Sequence, residues 1–124
     1  MTMHAKPEAD APEVTLDNRP WGRFEQYTLN EPTTVKVITV APGHRLSLQR
    51  HTGRDEWWTI LDGELVVQVG DEERAARRGD RVWIRRGQLH RAQNTSSREA
   101  SLLEIAFGHF DEDDIERLDD DYSR

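Results

Sequence analysis

The chain has 124 residues, no cysteine and a formal net charge of −7. That length suits one domain whose core needs no covalent staple, and the missing cysteines exclude both a disulfide framework and a thiolate metal site. No apolar run approaches the roughly 18 residues of a membrane span, and the arginines form no basic stripe of the kind nucleic acid requires; a cytoplasmic protein, with neither membrane nor nucleic acid as a partner, is expected.

In chain order, residues 1–18 are polar, carry Pro7 and Pro12 and lack periodicity, which predicts a flexible arm. Arg19-Pro20-Trp21-Gly22 opens a single ordered domain over 19–124. Short strands are predicted at 23–29, 34–41, 44–51, 56–62, 64–70, 73–77, 81–85, 90–94 and 100–107. Glycine and proline signals separate them, and Asp62-Gly63 between two apolar runs predicts a hairpin. The excess acid is local: residues 111–124 hold eight acids and two arginines. Within them, 111–118 reads as a short helix, with Asp111 as N-cap, acids in the first turn, and Ile115 and Leu118 on one face. Tyr122 is expected to pack that helix down. Many short strands and one terminal helix predict an all-β antiparallel sandwich or barrel.

The chemistry concentrates in two blocks. The first is Gly43-x5-Gln49-x-His51-x4-Glu56-x6-Gly63 and the second Gly79-x7-Gly87-x2-His90. Residues two apart on a strand share a face, so Gln49 and His51 point the same way. Two imidazoles, a carboxylate and an amide oxygen form a mixed nitrogen and oxygen set suited to a divalent metal with an open coordination position. Trp57 and Trp58 are adjacent on a strand, so one should face in and one out.

These blocks and their separation resemble the cupin superfamily, which implies a double-stranded β-helix, a jelly-roll barrel. A closer resemblance is to the C-terminal cupin domain of type II mannose-6-phosphate isomerases, often fused behind a mannose-1-phosphate guanylyltransferase. It is carried by Arg19-Pro20-Trp21-Gly22, by Val35 to Val40 with Pro42-Gly43, and by Arg45-Leu46-Ser47-Leu48-Gln49-x-His51. Arg54, Glu56, Trp58 and Gly87-x2-His90 continue it, and the ending Glu112-Asp113-Asp114-Ile115-x-Arg117 completes it. No nucleotidyltransferase domain precedes the cupin segment, so guanylyl transfer is not expected of it. The resemblance implies Gln49, His51, Glu56 and His90 as metal ligands, with Zn²⁺ expected first and Fe, Mn, Co or Ni open. It implies Lys36, Arg45 and Arg54 as cations for a sugar phosphate, aldose–ketose isomerisation, and a homodimer. With the three histidines beside the ligands replaced by Thr52, Gly53 and Trp57, Lys36 is the candidate base. A cupin metalloenzyme of dioxygenase-like or epimerase-like chemistry, and a non-catalytic sugar-binding cupin, are the alternatives.

Overall fold

The computed structural model describes residues 11–122. Every regular element among them is a strand. These are β1 (Thr15–Arg19), β2 (Gly22–Gln26), β3 (Thr33–Val40), β4 (Leu48–Arg50), β5 (Arg54–Asp62), β6 (Glu64–Val69), β7 (Glu72–Arg77), β8 (Arg81–Ile84), β9 (His90–Gln93), β10 (Ala100–Gly108) and β11 (Glu116–Asp119). Of the expected arm, residues 1–10 lie outside the described residues, and residues 15–18 belong to β1, which pairs with β2 as a hairpin.

Two larger antiparallel sheets face each other, one in the order β3-β10-β5-β8 and the other β11-β4-β9-β6-β7. From β3 to β6 the chain changes sheet at every step, and it does so again from β7 to β11. This interleaving winds the strands into a double-stranded β-helix, as expected.

Between the sheets the alternating residues of β6, Leu65, Val67 and Val69, meet Trp58 and Ile60 of β5, Val82 and Ile84 of β8, and Leu102 of β10. Burying each such side chain contributes roughly 1.5–3 kcal/mol. The outer face of the four-stranded sheet is also covered in part. Trp57, Trp83 and Ile105 form a second cluster there beneath Ala11, Val14 and Tyr27 of the N-terminal segment. Trp58 therefore faces in and Trp57 faces out, yet both are buried.

Two local expectations are corrected. Asp62-Gly63 is not a hairpin turn, because β5 and β6 lie in different sheets. Gly63, at φ 75°, bends the chain across the barrel, and the tight hairpin sits at Gly70-Asp71, where Val69 faces Glu72. The predicted helix over 111–118 is absent. Asp111 does cap one turn, accepting from the Asp113 amide at its side chain and from the Asp114 amide at its carbonyl. So short a helix is marginal on its own. The open edge of β4 captures the next residues instead, setting Glu116 opposite Arg50 and Arg117 opposite Gln49.

Candidate metal centre

The strands deliver the two sequence blocks to one place. Pairing of β4 with β9 sets Gln49 opposite His90. On β5, Glu56 and Trp58 share the inward face. Across from Trp58 stands Glu104 of β10, and across from Glu104 stands Lys36 of β3. His51 follows β4 directly and closes the group. Gln49, His51, Trp58, Glu104 and Lys36 of this group line a cavity of about 410 Å³, within the size range of small-ligand sites.

His51, Glu56 and His90 are buried, with one ligand atom from each lying within 4.8 Å of the others. His51 Nε2 is 3.5 Å from Glu56 Oε2, and His90 Nε2 is 3.8 Å from Glu56 Oε1. His90 Nδ1 lies 2.8 Å from the Gln88 carbonyl and His51 Nδ1 3.2 Å from that of Asp114. A carbonyl only accepts, so each Nδ1 carries the proton and each Nε2 turns a lone pair toward Glu56. His90 Nε2 is buried with no hydrogen-bond partner. A buried orphan acceptor is costly, and here it points at a carboxylate and a second imidazole lone pair. Three acceptors converging on one point fit a cation. Gln49 lines the same cavity and donates its amide nitrogen to Ser47 Oγ at 3.2 Å, which leaves its amide oxygen as the ligand-type atom.

The electrostatics agree with that arrangement. Burial, with His90 and Arg54 adding to it, pushes His51 down to about 4. Burial likewise pushes His90 down to about 4. Both rings are therefore neutral, the form that binds a metal. Burial raises Glu56 against the opposing pull of Arg54, whose Nε donates to Glu56 Oε2 at 3.1 Å.

Glu104 is the residue the sequence reading missed. It is buried in the cavity wall and accepts from Trp58 Nε1 at 3.3 Å, while the same indole donates to Glu56 at 3.1 Å. Burial and the Glu56 carboxyl beside it raise Glu104 to about 7. Its only signal in the sequence is a lone acid inside the apolar run Leu102-Leu103-Glu104-Ile105.

The expected cations Lys36, Arg45 and Arg54 all line the cavity. Lys36 Nζ pairs with Glu112 at 3.0 Å, and Arg45 Nε with Asp121 at 2.7 Å. Arg54 stacks its guanidinium on Phe110, 4.2 Å from the ring centre. Thr52, Gly53 and Trp57 lie outside the cavity lining. The Thr52 and Gly53 amides and the Thr52 hydroxyl donate to the Asp114 carboxylate at 2.7 to 3.0 Å, and Trp57 belongs to the outer cluster. The replaced histidine positions thus grip the C-terminal segment or cover the outer face, away from the metal-type cluster.

An interleaved two-sheet barrel with this His-Glu-His cluster inside defines a cupin. A solved sugar phosphate isomerase of the cupin superfamily from Silicibacter pomeroyi shares the fold at a TM-score of 0.58 and 24% identity, over 62% of this chain and 51% of that one. Residues 9–120 match the family described as mannose-6-phosphate isomerase C-terminal, and the chain belongs to that family. It is 37% identical over 107 residues to the xanthan biosynthesis protein XanB of Xanthomonas campestris pv. campestris (strain B100), covering 86% of this chain and 23% of that protein. It is 34% identical over 107 residues to the mannose-1-phosphate guanylyltransferase ManC of Salmonella typhimurium, covering 86% of this chain and 22% of that protein. The chain therefore spans less than a quarter of the length of these curated relatives.

Proposed function

We propose that this domain is a divalent-metal-dependent sugar-phosphate isomerase acting on mannose 6-phosphate or a close analogue. The observation that carries the reading is the convergence of two imidazole lone pairs on Glu56, one of them orphaned, in a domain of this family. His51, Glu56, His90 and Gln49 would hold the ion, with Zn²⁺ first and Fe, Mn, Co or Ni as the other candidates. When bound, the ion supplies Lewis acidity to the carbonyl and hydroxyl oxygens of the sugar.

The chain's own residues do the rest. The Gln88 and Asp114 carbonyls fix both imidazoles in the ligating tautomer. Arg54 balances the charge of Glu56 and holds its orientation. Trp58 ties the Glu56 and Glu104 carboxyls into one rigid unit through its indole N–H. Isomerisation moves a proton between C1 and C2, and of the two carboxyls that line the cavity outside the ligand cluster, Glu104 is the buried one, Glu112 being exposed and paired with Lys36. It takes the role of proton carrier in this reading on position, ahead of Lys36, whose ammonium is engaged by Glu112. A homodimer belongs to the same reading, since β3 ends its sheet beside exposed Val35 and Val37 and leaves one backbone edge open to a second copy.

The test is anaerobic metal analysis followed by an assay of mannose 6-phosphate conversion to fructose 6-phosphate. Turnover that disappears with a chelator and returns with metal is expected. Full metal occupancy with no conversion would overturn the reading. Glu104→Gln should keep its metal and lose turnover.

A further inference from the structure

Four cationic side chains, Lys36, Arg45, Arg54 and Arg117, line the cavity. Three already have carboxylate partners: Glu112 for Lys36, Asp121 for Arg45 and Glu56 for Arg54. Among the described residues no hydrogen bond or ion pair engages the Arg117 side chain; the charge it acts on is Glu112, without contact. An anion that binds a paired cation must first displace a carboxylate. At Arg117 it meets donors that no other described residue occupies.

The strand register puts that guanidinium on the useful face. Across β11 and β4, Glu116 faces Arg50 and Arg117 faces Gln49. Directly opposed residues share a face. Glu116 and Arg50 form an ion pair on one side, while Arg117 and Gln49 both line the cavity on the other. One strand further, Gln49 faces His90. Two strand spacings, on the order of 10 Å at the backbone, therefore separate Arg117 from His90, with Gln49 on the strand between them. That separation suits an elongated ligand with its reacting end at the cluster and its anionic end at β11. A planar guanidinium with parallel N–H donors is the side chain best shaped for a phosphate group.

We infer that Arg117, carried by the C-terminal strand, anchors the anionic group of the ligand, and that Lys36, Arg45 and Arg54 serve the fold and the metal-type cluster. The assignment of that anion to a sugar phosphate rests on the isomerase reading; the anion site itself does not.

The experiment is a phosphorus NMR titration of inorganic phosphate with metal-free protein, so that no ion competes for the anion. Wild type should bind phosphate, and Arg117→Gln should weaken binding about tenfold, the loss of one charge-assisted contact. Arg117→Lys should restore part of it. Lys36→Gln should change it by less than about threefold, since that ammonium is held in an exposed ion pair. No detectable binding by wild type, Arg117→Gln binding as wild type does, or a larger loss in Lys36→Gln than in Arg117→Gln would each overturn the inference. Arg117 is exposed, and unchanged melting curves check that its variants fold. The conversion assay separates the two proposals. Phosphate binding that depends on Arg117, without mannose 6-phosphate conversion, sinks the isomerase reading alone. Conversion with an unchanged KM in Arg117→Gln sinks the Arg117 assignment alone.

Discussion

His90 carries a buried acceptor that no donor of the described residues meets. Its Nδ1 proton is used by the Gln88 carbonyl, and its Nε2 is buried without a partner. An unsatisfied buried polar atom costs about 1–3 kcal/mol, a cost that a functional site tolerates and a purely structural one does not. His90→Leu should therefore give a metal-free protein that melts no lower than metal-free wild type, while stoichiometric metal uptake is lost. Elemental analysis and calorimetry read both quantities. A His90→Leu protein that still takes up one equivalent of metal would remove His90 from the ligand set. At this scale Gln49, His51, Glu56 and His90 were legible in the sequence because each sits at a motif spacing. Glu104 and Arg117 were not. A lone acid in an apolar strand has no spacing to betray it, and Arg117 was hidden by reading its segment as a helix.

The C-terminal segment is the element whose behaviour departs most from its local sequence. Composition favours a capped acidic helix, but the unpaired edge of β4 offers backbone partners, and tertiary pairing overrides propensity. Asp114 fastens the segment, since its carboxylate accepts from Thr52 twice and from Gly53 once. Those bonds hold Asp114 down at about 2. Asp114→Ala should raise hydrogen exchange and protease cleavage in 111–122 and leave β5 and β10 protected. Unchanged exchange in β11 would show that strand pairing alone suffices. The misplaced hairpin is a similar case. Asp62-Gly63 has the residues of a tight turn, yet the bend at Gly63 crosses between sheets. A methyl group there would lie 2.8 Å from Ala100 Cβ and 2.9 Å from the Glu99 carbonyl, at a φ of 75°. Gly63→Ala should cost about 1–3 kcal/mol from the backbone strain alone, read from the denaturant midpoint. A midpoint equal to wild type would mean the crossover relaxes freely. Turn chemistry in the sequence marked where the chain bends, but not which strands the bend joins.

At the scale of the whole molecule, the barrel buries titratable groups that pull its stability in opposite directions with pH. In the metal-free protein His51 and His90 sit near 4, below the ordinary 6.5. The unfolded chain therefore takes up their protons first, and stability is lost as pH falls from 6.5 toward 4. Glu104 is the reverse case. Its value of about 7 lies above the ordinary 4.5, so its contribution is full below 4.5 and is lost as pH rises through 7. Between 4.5 and 6.5 the two histidine slopes are opposed by Glu104 and by Glu56, which burial also raises, so metal-free wild type should vary less with pH there than a variant lacking Glu104. Glu104→Gln keeps the shape and removes one slope. Each pKa unit corresponds to about 1.4 kcal/mol, so the variant should be more stable than wild type at pH 8 by an amount on the order of a few kcal/mol. The advantage should shrink to nothing near pH 4.5, and the variant's own stability should fall more steeply than wild type's between 6.5 and 4.5, with Glu56 alone left to oppose the histidines. Urea unfolding of metal-free protein across that range measures it. A variant no more stable than wild type at pH 8 would mean that Glu104 ionises in the cavity without penalty, and that the carboxyl pair with Glu56 is better hydrated than its burial implies.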